Sequence, residues 1–372
     1  MNRHADVIVI GAGIVGCAIA CELARRGTAV RIVDDRPAGM GATQASAGVL
    51  APYLEAREGT AFLDLTVRSL NLYDSFIAEL AGESGEQISY RRTGTIDIAL
   101  DDDALRTLQE RATVLTRIGV SSALLSPDAV RSEEPHVGYG AAGALLVEAH
   151  GFVVVADLIR ALTLAGRQHG IEFAAPARAH RISRQDDAVA VDTDNGTLSA
   201  ATVVLAAGSW SGAIDVEGAG AHAPVRPVRG QLLSLAWRGT PLRRTTWGSR
   251  CYLVPWDDGT LLVGATMEEA GFDERATVAG VRDLLEAAGE LIPHAWSAGF
   301  NGAKVGLRPA TTDGLPIVGR SAAVPNLVYA TGHFRNGVLL APLTAKLVAD
   351  LVMGSPADSA LAALAPSRFG AL

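Results

Sequence analysis

The feature that most constrains this chain is a glycine-spaced turn between an apolar strand and a helix. Val7–Ile10 is apolar throughout, as a strand buried on both faces requires. It runs directly into Gly11-Ala12-Gly13-Ile14-Val15-Gly16, and the pattern predicts a helix from there to about Arg26, with Gly27 as its natural stop. Val30–Val33 predicts a second strand, ending in Asp34 and Asp35. Gly11 allows the tight turn, Gly13 lets backbone approach a pyrophosphate, and Gly16 lets the helix pack close on the strand. The helix N-terminus turns the positive end of its dipole towards phosphate. Asp34 follows Gly16 by 18 residues, near the ~20 expected for a carboxylate that accepts ribose hydroxyls. The whole pattern predicts a dinucleotide-binding βαβ unit.

Composition narrows the rest. A chain of 372 residues with 49% hydrophobic content has ample core for one large or two interleaved domains, and is neither disordered nor low-complexity. Lys occurs only at Lys304 and Lys346, so the cations are almost all Arg and any single Arg carries less functional weight than usual. A net charge of −8 without a basic stripe argues against a nucleic-acid partner. Cys17, Cys21 and Cys251 cannot build a disulfide framework; Cys17 and Cys21, four apart on a helix, read as core packing, and a reducing, cytoplasmic setting is expected. Arg3 and the apolar run after it look like a targeting signal. The run is broken by three glycines and closed by Glu22, Arg25 and Arg26, so a buried strand and helix explain it better. No membrane association is expected.

Two later segments predict strands of the first sheet: 202–208, ending in Ala206-Ala207-Gly208 before Trp210, and 327–332, ending in Gly332. Further helices are predicted at about 61–81, 102–119, 154–169, 278–291 and 338–353. The alternation over 88–100 predicts a half-exposed strand or hairpin, and 231–235, 251–255 and 261–265 predict three more strands. The fold class expected is therefore α/β, a Rossmann-like unit interleaved with an antiparallel-sheet domain. The first is assigned 1–85, 145–220 and 308–372, the second 86–144 and 221–307.

No phosphate loop, CxxC, HExxH or GxSxG pattern is present, so metal chemistry and nucleophilic hydrolysis find no support in the motifs. Redox chemistry carried by the dinucleotide is the economical reading. The small-residue segment 43–50 (TQASAGVL) lets backbone come close to a flat ring. The turn His333-Phe334-Arg335-Asn336-Gly337 opens a helix whose dipole would stabilise an anionic ring. Together with the glycine turn these favour FAD over NAD.

In order and spacing, GAGIVG with Asp34, TQASAGVL, VVLAAGSWSG, CYLVP, VGATM, GLRPATTDGLP and GHFRNGVLLAP resemble the glycine oxidase branch of the D-amino acid oxidase family over essentially the whole chain. The resemblance implies an FAD-dependent oxidase with an antiparallel substrate domain, acting on glycine, sarcosine or other N-substituted glycines, with dioxygen reduced to hydrogen peroxide. Members of the ThiO type supply iminoglycine for thiazole formation in thiamine biosynthesis. It further implies that Ile14, Val15, Asp34 and Asp35 contact the adenosine and pyrophosphate. Ala42, Thr43, Ser46, Ala47, Gly48 and Val49 would line the ring, Ala179 would touch adenine, and Gly208 and Trp210 would lie along the cofactor. His333, Phe334, Arg335, Asn336, Gly337, Val338 and Leu339 would cradle its pyrimidine end. Arg308 would grip the substrate carboxylate, Tyr252 would donate to the same group, and Arg335 would lie at the ring edge. A guanidinium fork matches a carboxylate bidentately, and holding the α-carbon over the ring is a positioning contribution.

The chain departs from the closest pattern just before Tyr252, where it reads Thr246-Trp247-Gly248-Ser249-Arg250. Trp247, with Arg243, Arg244 or Arg250, and with Tyr53, Val49 and Met267, is expected to shape a pocket that takes something bulkier than glycine, such as an N-substituted glycine bearing a second carboxylate. The rival reading leaves Arg250 a solvated rim cation. A dehydrogenase subunit passing electrons to a partner is the alternative activity, and the resemblance implies a homotetramer.

Overall fold

The computed structural model describes residues 5–55 and 59–372; Arg3 lies outside them. The glycine turn organises a six-stranded sheet in the order Ile317–Arg320, Leu327–Thr331, Thr202–Leu205, Val7–Ile10, Val30–Val33, Glu172–Phe173. All neighbours are parallel except the first pair. Both later segments thus join the sheet as the sequence predicts. Helices Ile14–Arg25, Ala61–Ser84, Val155–Gln168 and Gly337–Met353 cover one face and share a single apolar core. The antiparallel strands Ala179–Gln185, Ala188–Thr193 and Gly196–Ala200 cover the other, packing Ile182, Val189 and Val191 on Ile8, Val203 and Leu205. A strand buried on both faces has to be apolar throughout. That is why Val7–Ile10 was legible. Cys17 and Cys21 are buried thiols in this core.

The second unit is an eight-stranded sheet in the order Gly299–Ala310, Arg226–Ala236, Thr260–Gly264, Tyr252–Pro255, Thr245–Trp247, Thr95–Ala99, Gly143–Val147, Ser122–Leu125. One face carries the helix Val278–Leu291 on Leu233, Leu253 and Val263. The opposite face sets Leu232, Val254 and Leu262 against Ala47 and Phe152 of the first unit. The space between the units lies along this second face.

Two expectations are corrected. Residues 88–100 are not a hairpin: Tyr90–Arg91 pairs with Gly151–Val153 in a small separate sheet, while Thr95–Ala99 enters the large one. Nor is Thr95–Ala99 half-exposed, since Thr95 bonds His150 and Asp97 meets Arg111 Nη1 at 2.5 Å, so the polar half of the alternation is covered too. The expected boundaries after 144 and 307 fall inside Gly143–Val147 and Gly299–Ala310. Strand registers divide the units there, and composition carries no mark of a register. Among the described residues no helix is long and apolar enough to cross a membrane.

Candidate active site

A cleft of about 460 Å3 runs between the two units, from the glycine turn to the large sheet. At one end Gly11 holds a φ of +110°, and a Cβ there would lie 2.4 Å from the Ala206 carbonyl oxygen. Only glycine fits. Asp34 accepts the Ala12 N–H at 2.6 Å and the Arg36 N–H at 2.8 Å, while burial pushes its carboxyl above the usual range. Asp35 accepts from Arg178 Nη2 at 2.6 Å, tying the end of Val30–Val33 to the strand that carries Ala179. The Ile14 amide donates to Thr43 Oγ1 at 3.0 Å, which fixes the small-residue segment against the helix N-terminus.

Further along, Ser46, Ala47, Gly48 and Val49 form one wall. Gly48 holds φ at +74°, and a Cβ would lie 1.8 Å from the Val153 carbonyl oxygen, so at this point of the wall only backbone fits. Opposite is the turn 333–337. His333 is buried with Nε2 3.1 Å from Thr344 Oγ1, and burial lowers it to about 4, leaving it neutral at pH 7. Phe334 holds φ at +46°, uncommon for an aromatic, and its N–H donates to the Pro309 carbonyl at 2.9 Å. The helix Gly337–Met353 begins here with no acidic residue in its first turn, so its dipole faces the cleft uncompensated by any side chain of that turn.

The far end lies on the large sheet. Tyr252 and Trp247 are paired across neighbouring strands with ring centroids 4.8 Å apart. Arg308 comes from Gly299–Ala310 and donates through Nη1 to the Thr266 carbonyl at 2.9 Å. Tyr252, Trp247, Arg308, Arg335 and Val49 all line the cleft, so residues from four separate segments meet as expected.

Other expected pocket residues lie elsewhere. Tyr53 stacks on His150 at 5.4 Å and its N–H bonds the His150 Nε2, outside the cleft wall. Arg243 donates to the Ser132 carbonyl, Arg244 pairs with Glu133 at 3.0 Å and Arg250 with Glu290 at 2.8 Å. None of these arginines lines the cleft. The reason is the tight turn before Tyr252, which sends Arg250 to the opposite side of the hairpin from Trp247. Met267 is 61% exposed and also off the wall. Gly16 and Leu339 sit behind it: a Cβ on Gly16 would lie 2.0 Å from the Gly11 carbonyl oxygen, and the Leu339 carbonyl accepts from Ser69.

Arg36 was missed from sequence. It lines the cleft, its guanidinium lies 4.5 Å from the Trp210 ring, and it makes two 2.9 Å bonds to Glu274. Gly230 and Gly306, also missed, form a cross-strand pair on the cleft floor. Only an unexpected Gly inside a strand signalled them. Among the described residues no group of three or more His, Cys, Asp or Glu could hold a metal ion.

The cleft fits a dinucleotide joined to a flat ring: backbone where the ring must approach, two helix N-termini, and carboxylates at the ribose end. Residues 6–351 match the family described as DAO, FAD dependent oxidoreductase. The chain is 33% identical over 356 residues to a glycine oxidase of Bacillus licheniformis, covering 96% of this chain and 95% of that one. It is similar to the crystal structure of glycine oxidase from Geobacillus kaustophilus, with TM-score 0.94, 32% identity and 99% of each chain covered. It is also similar to an iminodiacetate oxidase from Chelativorans sp. BNC1, with TM-score 0.89, 26% identity and 97% and 98% of the chains covered. The chain belongs to the DAO family of FAD-dependent oxidoreductases, and FAD is the cofactor its cleft is built to hold.

Proposed function

We propose that this enzyme oxidises the amine of glycine and small N-alkylated glycines such as sarcosine, releasing an imine that hydrolyses. Bound FAD would supply the two-electron acceptor and, once reduced, the reductant for dioxygen, giving hydrogen peroxide. The observation that carries the reading is that Arg308 and Tyr252, on strands of one sheet separated by Arg226–Ala236 and Thr260–Gly264, both line the cleft between the sheet and the ring wall. Arg308 is placed to bind the substrate carboxylate, and the Tyr252 hydroxyl to donate to the same group and fix its rotation. Trp247 and Val49 narrow the space around the α-carbon and exclude water. Asp34 and Asp35 belong to the ribose end, and His333 is engaged by Thr344. The amine is therefore delivered neutral from solution, and its proton goes to water rather than to a side chain.

A cation for a second carboxylate does not come from Arg243, Arg244 or Arg250, each turned onto other partners. This favours the smaller substrates. The likeness to the iminodiacetate oxidase supports a second reading, in which the nitrogen carries a carboxymethyl group and Arg335 meets it. Three free, buried cysteines support a reducing, cytoplasmic setting, and the glycine oxidase resemblance supports a homotetramer. Peroxide release from purified protein with glycine, sarcosine and iminodiacetate tests the reading. The first two should be turned over most efficiently; iminodiacetate far ahead of both favours the second reading, and substrate oxidation without peroxide favours a dehydrogenase.

A further inference from the structure

The polar groups on the floor of the cleft lie over glycines. A Cβ on Gly230 would sit 2.2 Å from Arg308 Nη2, 2.3 Å from Cζ and 2.4 Å from Nη1. A Cβ on Gly264 would sit 2.5 Å from the Tyr252 hydroxyl oxygen and 2.5 Å from its Cζ. Real side chains do not approach so closely, so both groups occupy the volume a side chain would take. The register explains the arrangement. Gly264 pairs with Tyr252 on one side and Leu232 on the other, while Gly230 pairs with Gly306, two residues before Arg308. All point to the face that looks at the first unit.

Neither glycine is needed for its backbone. Gly230 is interior to the long strand Arg226–Ala236, Gly264 ends Thr260–Gly264, and neither has a left-handed φ. A glycine inside a strand is destabilising, having no side chain to pack and more freedom to lose. At Gly306 the obstacle is the scaffold: a Cβ would meet Ala45 and the Ala42 carbonyl. At Gly230 the three nearest atoms all belong to the Arg308 guanidinium. Its missing side chain makes room for the proposed substrate-binding group.

We infer that Gly230 is a positioning residue for substrate binding: it lets the Arg308 guanidinium lie flat on the sheet, with Nη1 on the Thr266 carbonyl and its remaining edge turned to the substrate carboxylate. Gly264 does the same for the Tyr252 ring. The inference rests on the reading of Arg308 as the carboxylate-binding group. Because the displaced atoms end a flexible side chain, Gly230→Ala moves the guanidinium rather than the strand, and its cost falls on binding rather than on folding.

The test uses the FAD-loaded enzyme and glycine, with affinity and limiting rate read from anaerobic bleaching of the flavin band. Gly230→Ala should keep its FAD content and melting temperature while glycine affinity falls about tenfold to a hundredfold, the usual scale for a misplaced positioning group. Gly299→Ala, on the outer end of the neighbouring strand where a Cβ meets only Ala236 at 3.4 Å, should leave all readouts unchanged. In an Arg308→Lys background, which lacks the broad fork, Gly230→Ala should cost little further, so the two changes are non-additive. Gly264→Ala should lower affinity through Tyr252 independently. Affinity and limiting rate within twofold of the parent in Gly230→Ala, or equal losses in both backgrounds, overturn the inference. If Arg308→Lys alone leaves glycine affinity intact, the carboxylate reading fails first and the positioning role falls with it.

Discussion

Arg308 Nη1 and the carbonyl of Thr266 are 2.9 Å apart, which binds the floor of the cleft to the segment that follows Thr260–Gly264. Thr266 is itself held: its Oγ1 accepts the Gln231 N–H at 2.9 Å and donates to Glu268 Oε1 at 2.5 Å. Burial works against the Glu268 charge, but bonds from Thr266, Arg229 and Gln231 prevail and hold its carboxyl below the usual range. A fixed guanidinium of this kind is pre-organised, so little further freedom is lost when a carboxylate docks.

Replacing that fork should therefore be costly. Arg308→Lys keeps the charge but loses the planar pair of donors. Steady-state kinetics with glycine should show kcat/KM lower by about 100-fold, the scale of one or two charge-assisted hydrogen bonds, mostly through KM. A change under threefold would place carboxylate binding elsewhere.

The segment after Thr266 also reaches back to the cofactor unit. Glu274 holds Arg36 by two bonds, Arg36 lies over Trp210, and the Phe272 ring is 5.8 Å from the same indole. Arg36 and Trp210 both line the cleft, so this clasp braces the wall along the bound dinucleotide. Glu274→Gln should raise the FAD dissociation constant by a few fold, as suits a partly exposed ion pair of about 1 kcal/mol or less. Flavin fluorescence on dilution measures it, and unchanged release would show the clasp to be incidental.

Trp247 sets the width of the substrate end. Its Nε1 is buried and has no hydrogen-bond partner among the described residues, so the indole is there for its bulk and its contact with Tyr252. Trp247→Ala should raise kcat/KM for N-alkylated glycines relative to glycine by about tenfold, the worth of a methylene or two of pocket space. An unchanged ratio would mean that another group limits size.

Two buried imidazoles shape the acid limb of stability. Burial lowers His333 to about 4 and His150 to about 3, whereas an unfolded imidazole titrates near 6.5. Between those values the unfolded chain binds the extra protons, so stability is lost as pH falls, by up to about 1.4 kcal/mol per unit for each group. Asp34, Asp97 and Glu134, pushed up by burial, oppose part of this slope. Melting temperatures should drop from pH 7 to pH 5 in the parent, and the double variant His150→Asn, His333→Asn should flatten the drop. The same slope in both proteins would assign it to other groups.

Much of the cofactor site was legible because its signals are local. The glycine spacing, the acid after the second strand and the small-residue segment each constrain backbone within a few residues. Tyr252 and Arg308 were legible through the resemblance. Arg243, Arg250, Tyr53 and Met267 were misplaced because nearness in sequence does not say which side of a hairpin or loop a side chain takes. Arg36 and Gly230 escaped for the converse reason. Arg36 meets Glu274 across 238 positions, and Gly230 lies beneath Arg308 through a cross-strand register that no short motif encodes.

The most direct test of the central claim is anaerobic mixing of the purified yellow protein with glycine and with sarcosine, following the visible flavin band. The account predicts that glycine or sarcosine bleaches the band fully, that Arg308→Ala needs far more substrate to do so, and that admitting air restores the colour with hydrogen peroxide released. A band that neither compound bleaches at any concentration, in protein that holds its FAD, would contradict it.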